Sequence, residues 1–212
     1  MTASQQSPRS APRVMVIGVG NAYRGDDAVG QVVAQRLREE RLVLRQLLSD
    51  GLSAPSPPAG EGWDEGEGKQ GRTQQIKLEG ALDHVTILVQ SGEGTRLLES
   101  WRNADAVILI DAVQSGARPG TVHRLEAVEQ PVPRALLRCS THAFGVAETI
   151  ELARALRQLP PRLVIYGIEG QTFAAGAGLS VAVAQAVPEV VARVWHEICA
   201  LQAVQEYGGS YA

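Results

Sequence analysis

An apolar run, a glycine-rich turn, a pair of acids and a helical pattern follow one another between residues 14 and 37 (VMVIGVGNAYRGDDAVGQVVAQRL). The run Val14–Val19 predicts a buried strand, and apolar residues from Ala28 onward recur at helical spacing. Asp26 and Asp27 therefore follow the carboxyl end of a strand, where open α/β sheets keep their ligand sites. A phosphate-binding loop would favour positive charge here, so the acids indicate a cation site or acid–base chemistry.

Strand-like and helix-like segments alternate along the rest of the chain. The other predicted strands are 85–89, 106–110, 121–125 and 162–168, and the other predicted helices are 96–102, 144–159 and 179–202. Within the last helix, Pro188 is expected to begin a new helical segment after a break. This alternation predicts an α/β fold, a three-layer sandwich in which a mostly parallel, five-stranded, twisted sheet carries helices on both faces.

The domain organisation follows from length and from two segments that lack a folding pattern. A chain of 212 residues is expected to form a single domain spanning residues 1–212. Residues 1–12 are polar and predicted to form a disordered tail. Residues 50–72 are dense in glycine, proline, serine and acids, so they are predicted to form a flexible insertion. The apolar content of 44% is otherwise ordinary for a globular protein.

Composition also narrows the classes of function and location. A formal net charge of -3 predicts no nucleic-acid partner. No apolar run is long enough to span a bilayer or to serve as a secretory signal, so we expect no membrane partner and a cytoplasmic location. Cys139 and Cys199 lie too far apart for a CxxC pair, which disfavours a zinc–thiolate site. Both cysteines are expected to be buried and to have no catalytic role.

Three polar residues are expected to converge at the carboxyl edge of the predicted sheet. Asp27 follows the first strand, Asp111 closes the third strand, and His142 lies in the loop that enters the predicted helix 144–159. Two carboxylates and an imidazole form a plausible divalent-metal site with open positions for substrate or water. Structural alternatives remain, because Asp111 could bind loop amides and His142 could cap its helix. Asp26 is interpreted as the cap of the first helix.

Competing sites are weaker. The dinucleotide-binding fingerprint would need a third glycine where Tyr23 stands, and the second predicted strand does not end in an acid. No phosphate-binding loop, no GxSxG nucleophile elbow and no HExxH zinc motif is present. The remaining histidines are expected to be structural or exposed to solvent: His84, His123 and His196.

The segment GVGNAYRGDDAVG resembles the opening signature of the hydrogenase maturation endopeptidases, GxGNxxxxD[DE]xxG. The resemblance continues in order through SGEGTRLLE, AVILIDAVQSGARPGT, STHAFGVAETIELARAL and RLVIYGIEGQTFAAGAGLSVAV. It covers about Val14 to Ala200 apart from the insertion. One departure is Glu93, which stands where the family usually has glycine.

The resemblance implies a specific activity. Members remove a C-terminal peptide from the nickel-loaded precursor of a nickel-iron hydrogenase large subunit, so that precursor is the expected protein partner. Nickel would be supplied by the substrate, with no organic cofactor, and its expected contacts are Asp27, Asp111 and His142. Catalysis would be aspartic-type or assisted by the substrate's metal. The alternatives are a non-catalytic, nickel-dependent checkpoint or chaperone and a small-molecule hydrolase on the same fold.

Overall fold

The computed structural model describes residues 11–50, 82–133 and 145–207. The strands are β1 Val14–Val19, β2 Val85–Gln90, β3 Ala106–Val113, β4 Val122–Glu126 and β5 Arg162–Glu169. The helices are a 3₁₀ helix Gly25–Ala28, α1 Val29–Ser49, α2 Gly94–Trp101, α3 Val146–Ala155 and α4 Val181–Tyr207. Each strand begins within one residue of its predicted start, so the pattern of apolar residues located the strands well.

Several sequence predictions concern residues outside the described ranges. The tail 1–12 is described only at its last two residues, and the insertion 50–72 is described only at Asp50. His142 and Cys139 also lie outside the described residues. The predictions for these positions therefore stay predictions.

The five strands form one sheet in the order β2-β1-β3-β5-β4. β1, β2, β3 and β5 run parallel, and β4 pairs antiparallel with β5 at one edge. All residues of the central strand β3 are buried, as expected where helices cover both faces of a parallel sheet. The predicted mostly parallel, five-stranded sheet is confirmed.

Two apolar clusters lie on opposite faces of the sheet. On one face, α1 and α4 pack against the strands, and the buried residues of α1 are those at helical spacing, including Val33 and Leu37. On the other face, α2 and α3 contribute Leu97, Trp101 and Ile150 to a second cluster. The three-layer arrangement predicted from the sequence is confirmed.

The end of β3 differs from the sequence prediction. The prediction ended this strand at Ile110 with Asp111 just beyond it, but β3 continues to Val113. The strand is longer because β5 pairs with it over three further positions, from Asp111 opposite Gly167 to Val113 opposite Glu169. Asp111 therefore lies inside a strand rather than in the loop that follows.

Helix α4 differs from the sequence prediction in two respects. It runs through Pro188 without a break, because a buried apolar stripe that includes Val183, Val190 and Val194 packs it against the sheet on both sides of the proline. Cys199 was expected to be buried but is free and exposed. In the described part of the chain, neither α4 nor any other helix has the length and apolar character needed to cross a membrane.

Candidate functional site

Two glycines allow the segment that carries Asp27 to press against the strands. A Cβ atom at Gly20 would lie 1.7 Å from the carbonyl oxygen of Asp27, and Gly20 has a φ of +143°. A Cβ atom at Gly30 would lie 2.2 Å from the carbonyl oxygen of Val19 and 2.3 Å from that of Ile110. Only glycine permits approaches this close. The start of α1 is therefore seated on β1 and β3, beside the position of Asp111.

Asp111 lies where the sheet loses one neighbouring strand. The last residue pair between β1 and β3 joins Gly18 to Ile110, one position before Asp111. On the other side, its pairing partner in β5 is Gly167, which has no side chain. Asp111 is 4% exposed, and its carboxylate accepts a hydrogen bond of 2.9 Å from the amide N–H of Ala112. The strands thus leave room for a buried carboxylate at this edge.

Asp27 and Asp111 influence each other electrostatically. Burial, together with the charge of Asp27, raises the pKa of Asp111 to about 8, while the Ala112 N–H opposes this rise. Nη1 of Arg24 lies 3.6 Å from Oδ2 of Asp27, at ion-pair distance. Two buried carboxylates of this kind favour holding one proton or accepting a cation between them. Sequence reasoning missed Arg24, although its position three residues before Asp27 was a visible signal.

The third predicted member of the site, His142, lies outside the described residues. Among residues 11–50, 82–133 and 145–207, no group of three or more His, Cys, Asp or Glu side chains is arranged to hold a metal ion. The predicted set of Asp27, Asp111 and His142 therefore stays a prediction. Its donor chemistry fits a divalent cation, and the pKa of Asp111 is raised by burial and by the negative charge of Asp27, which a cation would neutralise.

Asp26 does not cap the first helix, so that interpretation is wrong. No side chain caps either the 3₁₀ helix or α1. The fully buried Asp26 carboxylate reaches the loop between β5 and α4 (residues 170–180), which lies far away in sequence. Its acceptor contacts are Oδ2 with the N–H of Gln171 at 2.7 Å and of Thr172 at 2.9 Å, and Oδ1 with the N–H of Ser180 at 2.6 Å.

These hydrogen bonds reverse the electrostatic effect of burial at Asp26. Burial acts to raise its pKa, but the amide N–H groups of Thr172, Ser180 and Gln171 stabilise the charged form, and the pKa is lowered. A carboxylate that accepts several amide hydrogen bonds is stable as an anion even when buried. Asp26 is therefore suited to hold two segments together and unsuited to exchange a proton near neutral pH.

Glu169 is a further buried acid that sequence reasoning missed. It is the last residue of β5 and 2% exposed, and it accepts hydrogen bonds from N–H and Oγ of Ser115 at 3.1 and 2.7 Å and from Gly116 N–H at 2.8 Å. Nε2 of His123 lies 3.5 Å from its carboxylate. Its position at the end of a predicted strand was the available signal. Glu169 fixes the connection between β3 and β4.

The three histidines expected to be structural or solvent-facing are described. His84 is exposed, and its carbonyl oxygen accepts a hydrogen bond from the N–H of Val14, at the end of β1 opposite the site. His196 is exposed on α4. His123 is partly buried in β4 beside Glu169. Their positions agree with the expectation.

The fold and this edge define a class: a three-layer α/β protein with a buried, electrostatically coupled pair of aspartates at the carboxyl edge of its sheet. The family model of the hydrogenase maturation protease family (HycI) matches residues 74–197. That match covers more than half of the chain and includes Asp111 and His142. The chain belongs to the hydrogenase maturation protease family.

Individual relatives agree with this assignment. The chain is 24% identical over 161 residues to the hydrogenase expression/formation protein HupD of Thiocapsa roseopersicina, covering 76% of this chain and 56% of the relative. It is 26% identical over 171 residues to the hydrogenase 2 maturation protease of Escherichia coli K12, covering 79% of each. Against the first HupD relatives, of T. roseopersicina and Rhizobium leguminosarum bv. viciae, the chain spans less than two thirds of their length.

Solved structures share the fold. The hydrogenase maturating endopeptidase HybD from E. coli matches with a TM-score of 0.57 and 22% identity, over 92% of this chain and 94% of that chain. The solution structure of an endopeptidase from Escherichia coli matches with a TM-score of 0.60 and 24% identity, over the same shares of the two chains. At this level of identity the likeness concerns the fold.

Proposed function

We propose that this protein is an endopeptidase that removes a C-terminal peptide from the nickel-loaded precursor of a nickel-iron hydrogenase large subunit. Membership of the hydrogenase maturation protease family supports the peptidase activity and the class of protein substrate. The observation that carries the proposal is the electrostatically coupled pair Asp27 and Asp111, because the pKa of Asp111, raised to about 8, suits proton transfer or contact with a cation near neutral pH.

In the proposed site, Asp27 and Asp111 act as a unit. Near neutral pH they hold one proton between them, so one carboxylate can accept a proton from an attacking water while the other stays neutral. The Arg24 guanidinium favours the charged form of Asp27, which leaves Asp111 as the member that holds the proton. We assign proton transfer to this pair, with His142 as the third contact implied by the resemblance.

Nickel enters as part of the substrate. Held by the precursor, it would supply positive charge to the carboxylate pair and Lewis-acid polarisation of the scissile carbonyl. The nickel charge would favour the charged carboxylate of the pair, because a nearby cation lowers the pKa of a carboxyl group. This gives the protein a physical means to distinguish nickel-loaded from nickel-free precursor.

The test is to incubate the protein with nickel-loaded and nickel-free precursor and to measure C-terminal truncation by mass spectrometry. We expect truncation of the nickel-loaded form alone. Asp83→Asn is the matched control, because Asp83 is an exposed aspartate paired with Arg45, and it should process like wild type. Stable binding without cleavage would indicate a checkpoint or chaperone instead. Equal cleavage of both forms would show that nickel is not the recognised feature.

A further inference from the structure

We propose that Asp26 is a positioning residue that fixes the active-site segment of Asp27 against the loop 170–180. This inference rests on the proposed function, because it assigns Asp27 to the reacting site. Asp26 itself touches neither substrate nor metal in this assignment. Its buried carboxylate binds the loop, and the loop thereby fixes the position of the 3₁₀ helix that carries Asp27.

The two segments are joined in both directions. The Asp26 carboxylate accepts three main-chain hydrogen bonds from the loop, at 2.7, 2.9 and 2.6 Å. Three further main-chain hydrogen bonds join the same segments: Asp26 N–H to Thr172 O at 2.8 Å, Gly25 N–H to Ala177 O at 3.2 Å, and Gly176 N–H to Tyr23 O at 2.8 Å. The side chain of Asp26 thus supplies half of these contacts.

The turn that carries Asp27 depends on external contacts for its position. It is a four-residue 3₁₀ helix without a side-chain cap, and such short helices have poorer hydrogen-bond geometry than α-helices. The contacts of Asp26 fix this 3₁₀ helix to the loop 170–180. That loop leads directly into α4, a helix packed on the sheet. Because Asp27 is the next residue, losing the Asp26 contacts would shift Asp27 relative to Asp111. A displacement of about 1 Å in a catalytic group can cost about 100-fold in rate.

The experiment compares Asp26→Asn with Asp26→Ala on nickel-loaded precursor. Asparagine keeps the size of the side chain, but its NH₂ cannot accept a hydrogen bond, so at least one loop N–H loses its acceptor. Alanine removes all three acceptor contacts. We expect kcat per folded protein to fall by about 10-fold for Asp26→Asn and by about 100-fold for Asp26→Ala, with a smaller change in KM.

The matched control is Glu197→Gln, which also neutralises a buried carboxylate. Glu197 accepts hydrogen bonds from Arg124 and Tyr166 and lies on α4 about 25 Å along the helix from Ser180, at about 1.5 Å of rise per residue. A purely structural effect of losing a buried charge should appear in both variants. We expect kcat of Glu197→Gln to stay within about 2-fold of wild type, because its hydrogen-bond partners Arg124 and Tyr166 lie on β4 and β5 and not on the turn that carries Asp27.

A second measurement, amide hydrogen exchange, reports on the contact between the 3₁₀ helix and the loop 170–180 and does not depend on enzymatic activity. Asp26→Asn should speed exchange in residues 23–29 and 171–180, whereas Glu197→Gln should not. The positioning role is overturned if folded Asp26→Asn processes precursor at the wild-type rate, if only KM changes, or if exchange in both segments is unaltered. Wild-type protein that leaves nickel-loaded precursor intact would overturn the proposed function, and the positioning role in catalysis with it.

Discussion

Asp26 and Asp111 are both buried aspartates at the same edge of the sheet, yet their surroundings have opposite effects. Three amide N–H groups surround the carboxylate of Asp26 and lower its pKa. Within the described residues, Asp111 accepts one N–H, from Ala112, and burial with the charge of Asp27 raises its pKa to about 8. The fold has therefore stabilised one charge and destabilised the other.

This difference separates structural acids from reactive ones. A buried carboxylate whose charge is satisfied by hydrogen bonds contributes to stability and has little tendency to exchange protons. A buried carboxylate close to a second one is less stable as an anion and is ready to hold a proton or contact a cation. Adjacency in sequence does not predict which role applies, because Asp26 and Asp27 are neighbours in the same turn.

The largest effect should come from removing either member of the coupled pair. Asp27→Ala and Asp111→Ala should each lower the rate of precursor processing by about 10²- to 10⁴-fold, the usual contribution of a general acid or base. His142→Ala belongs to the same test through the resemblance. The rate is measured by mass spectrometry on nickel-loaded precursor at matched protein concentration.

Two variants calibrate that result. Asp27→Glu keeps a carboxylate and should retain partial activity. Asp105→Ala alters a half-buried aspartate that pairs with Arg13 and should process at the wild-type rate. Full processing by the Asp27→Ala protein would remove Asp27 from the active site.

The second-largest effect concerns the free energy of unfolding. Here the loss of Asp26 should matter more than the loss of Asp111. Asp26→Ala leaves three part-buried N–H groups without their acceptor, and each should cost about 1 kcal/mol, the lower end for an unsatisfied group, because the loop is partly exposed to water. We expect the free energy of unfolding to fall by about 3 kcal/mol, measured by urea denaturation. Asp111→Ala should lower it less, because that change also removes the cost of protonating a buried carboxyl group on folding. The comparison fails if Asp111→Ala proves the more destabilising of the two.

The third prediction uses opposite pH dependences in metal-free protein. Because the pKa of Asp111 rises from 3.8 to about 8 on folding, its stabilising effect is complete below about pH 4 and is lost as pH rises toward 8. Asp26 has a lowered pKa, so its contribution is present above 3.8 and is lost as pH falls through the folded pKa. The free energy of unfolding of Asp111→Asn, compared with that of wild type, should therefore increase as the pH rises from about 5 to about 9. Urea denaturation at both pH values measures this change, and a constant difference between the two proteins would contradict it.

The smallest effect is expected for the exposed thiol. Cys199 is free and lies on the surface of α4, so Cys199→Ser should change the free energy of unfolding by no more than about 0.5 kcal/mol. Processing should be unaltered, because no role is assigned to this thiol. Loss of activity in a folded Cys199→Ser protein would point to a surface contact with the precursor.

Much of the fold was predictable from the sequence because it rests on local patterns. Apolar runs located all five strands, and helical spacing in α1 identified the face that packs on the sheet. The edge at which Asp27 and Asp111 meet also followed from the sequence, because parallel strands direct their carboxyl ends to one side. The family resemblance rested on motifs in the same segments, and the family match confirmed it.

Other features were decided by contacts between segments distant in sequence. Asp26 looked like a helix cap until the loop 170–180 supplied three N–H donors from about 150 positions away. Asp111 looked like a strand end until pairing with β5 extended β3 to Val113. Local pattern records which residues are apolar and how they recur, whereas the charge state of a buried carboxylate depends on the donors and charges around it. Those surroundings exist only after the chain has folded, so the tertiary structure alone decided which aspartate holds the fold and which has its proton affinity raised.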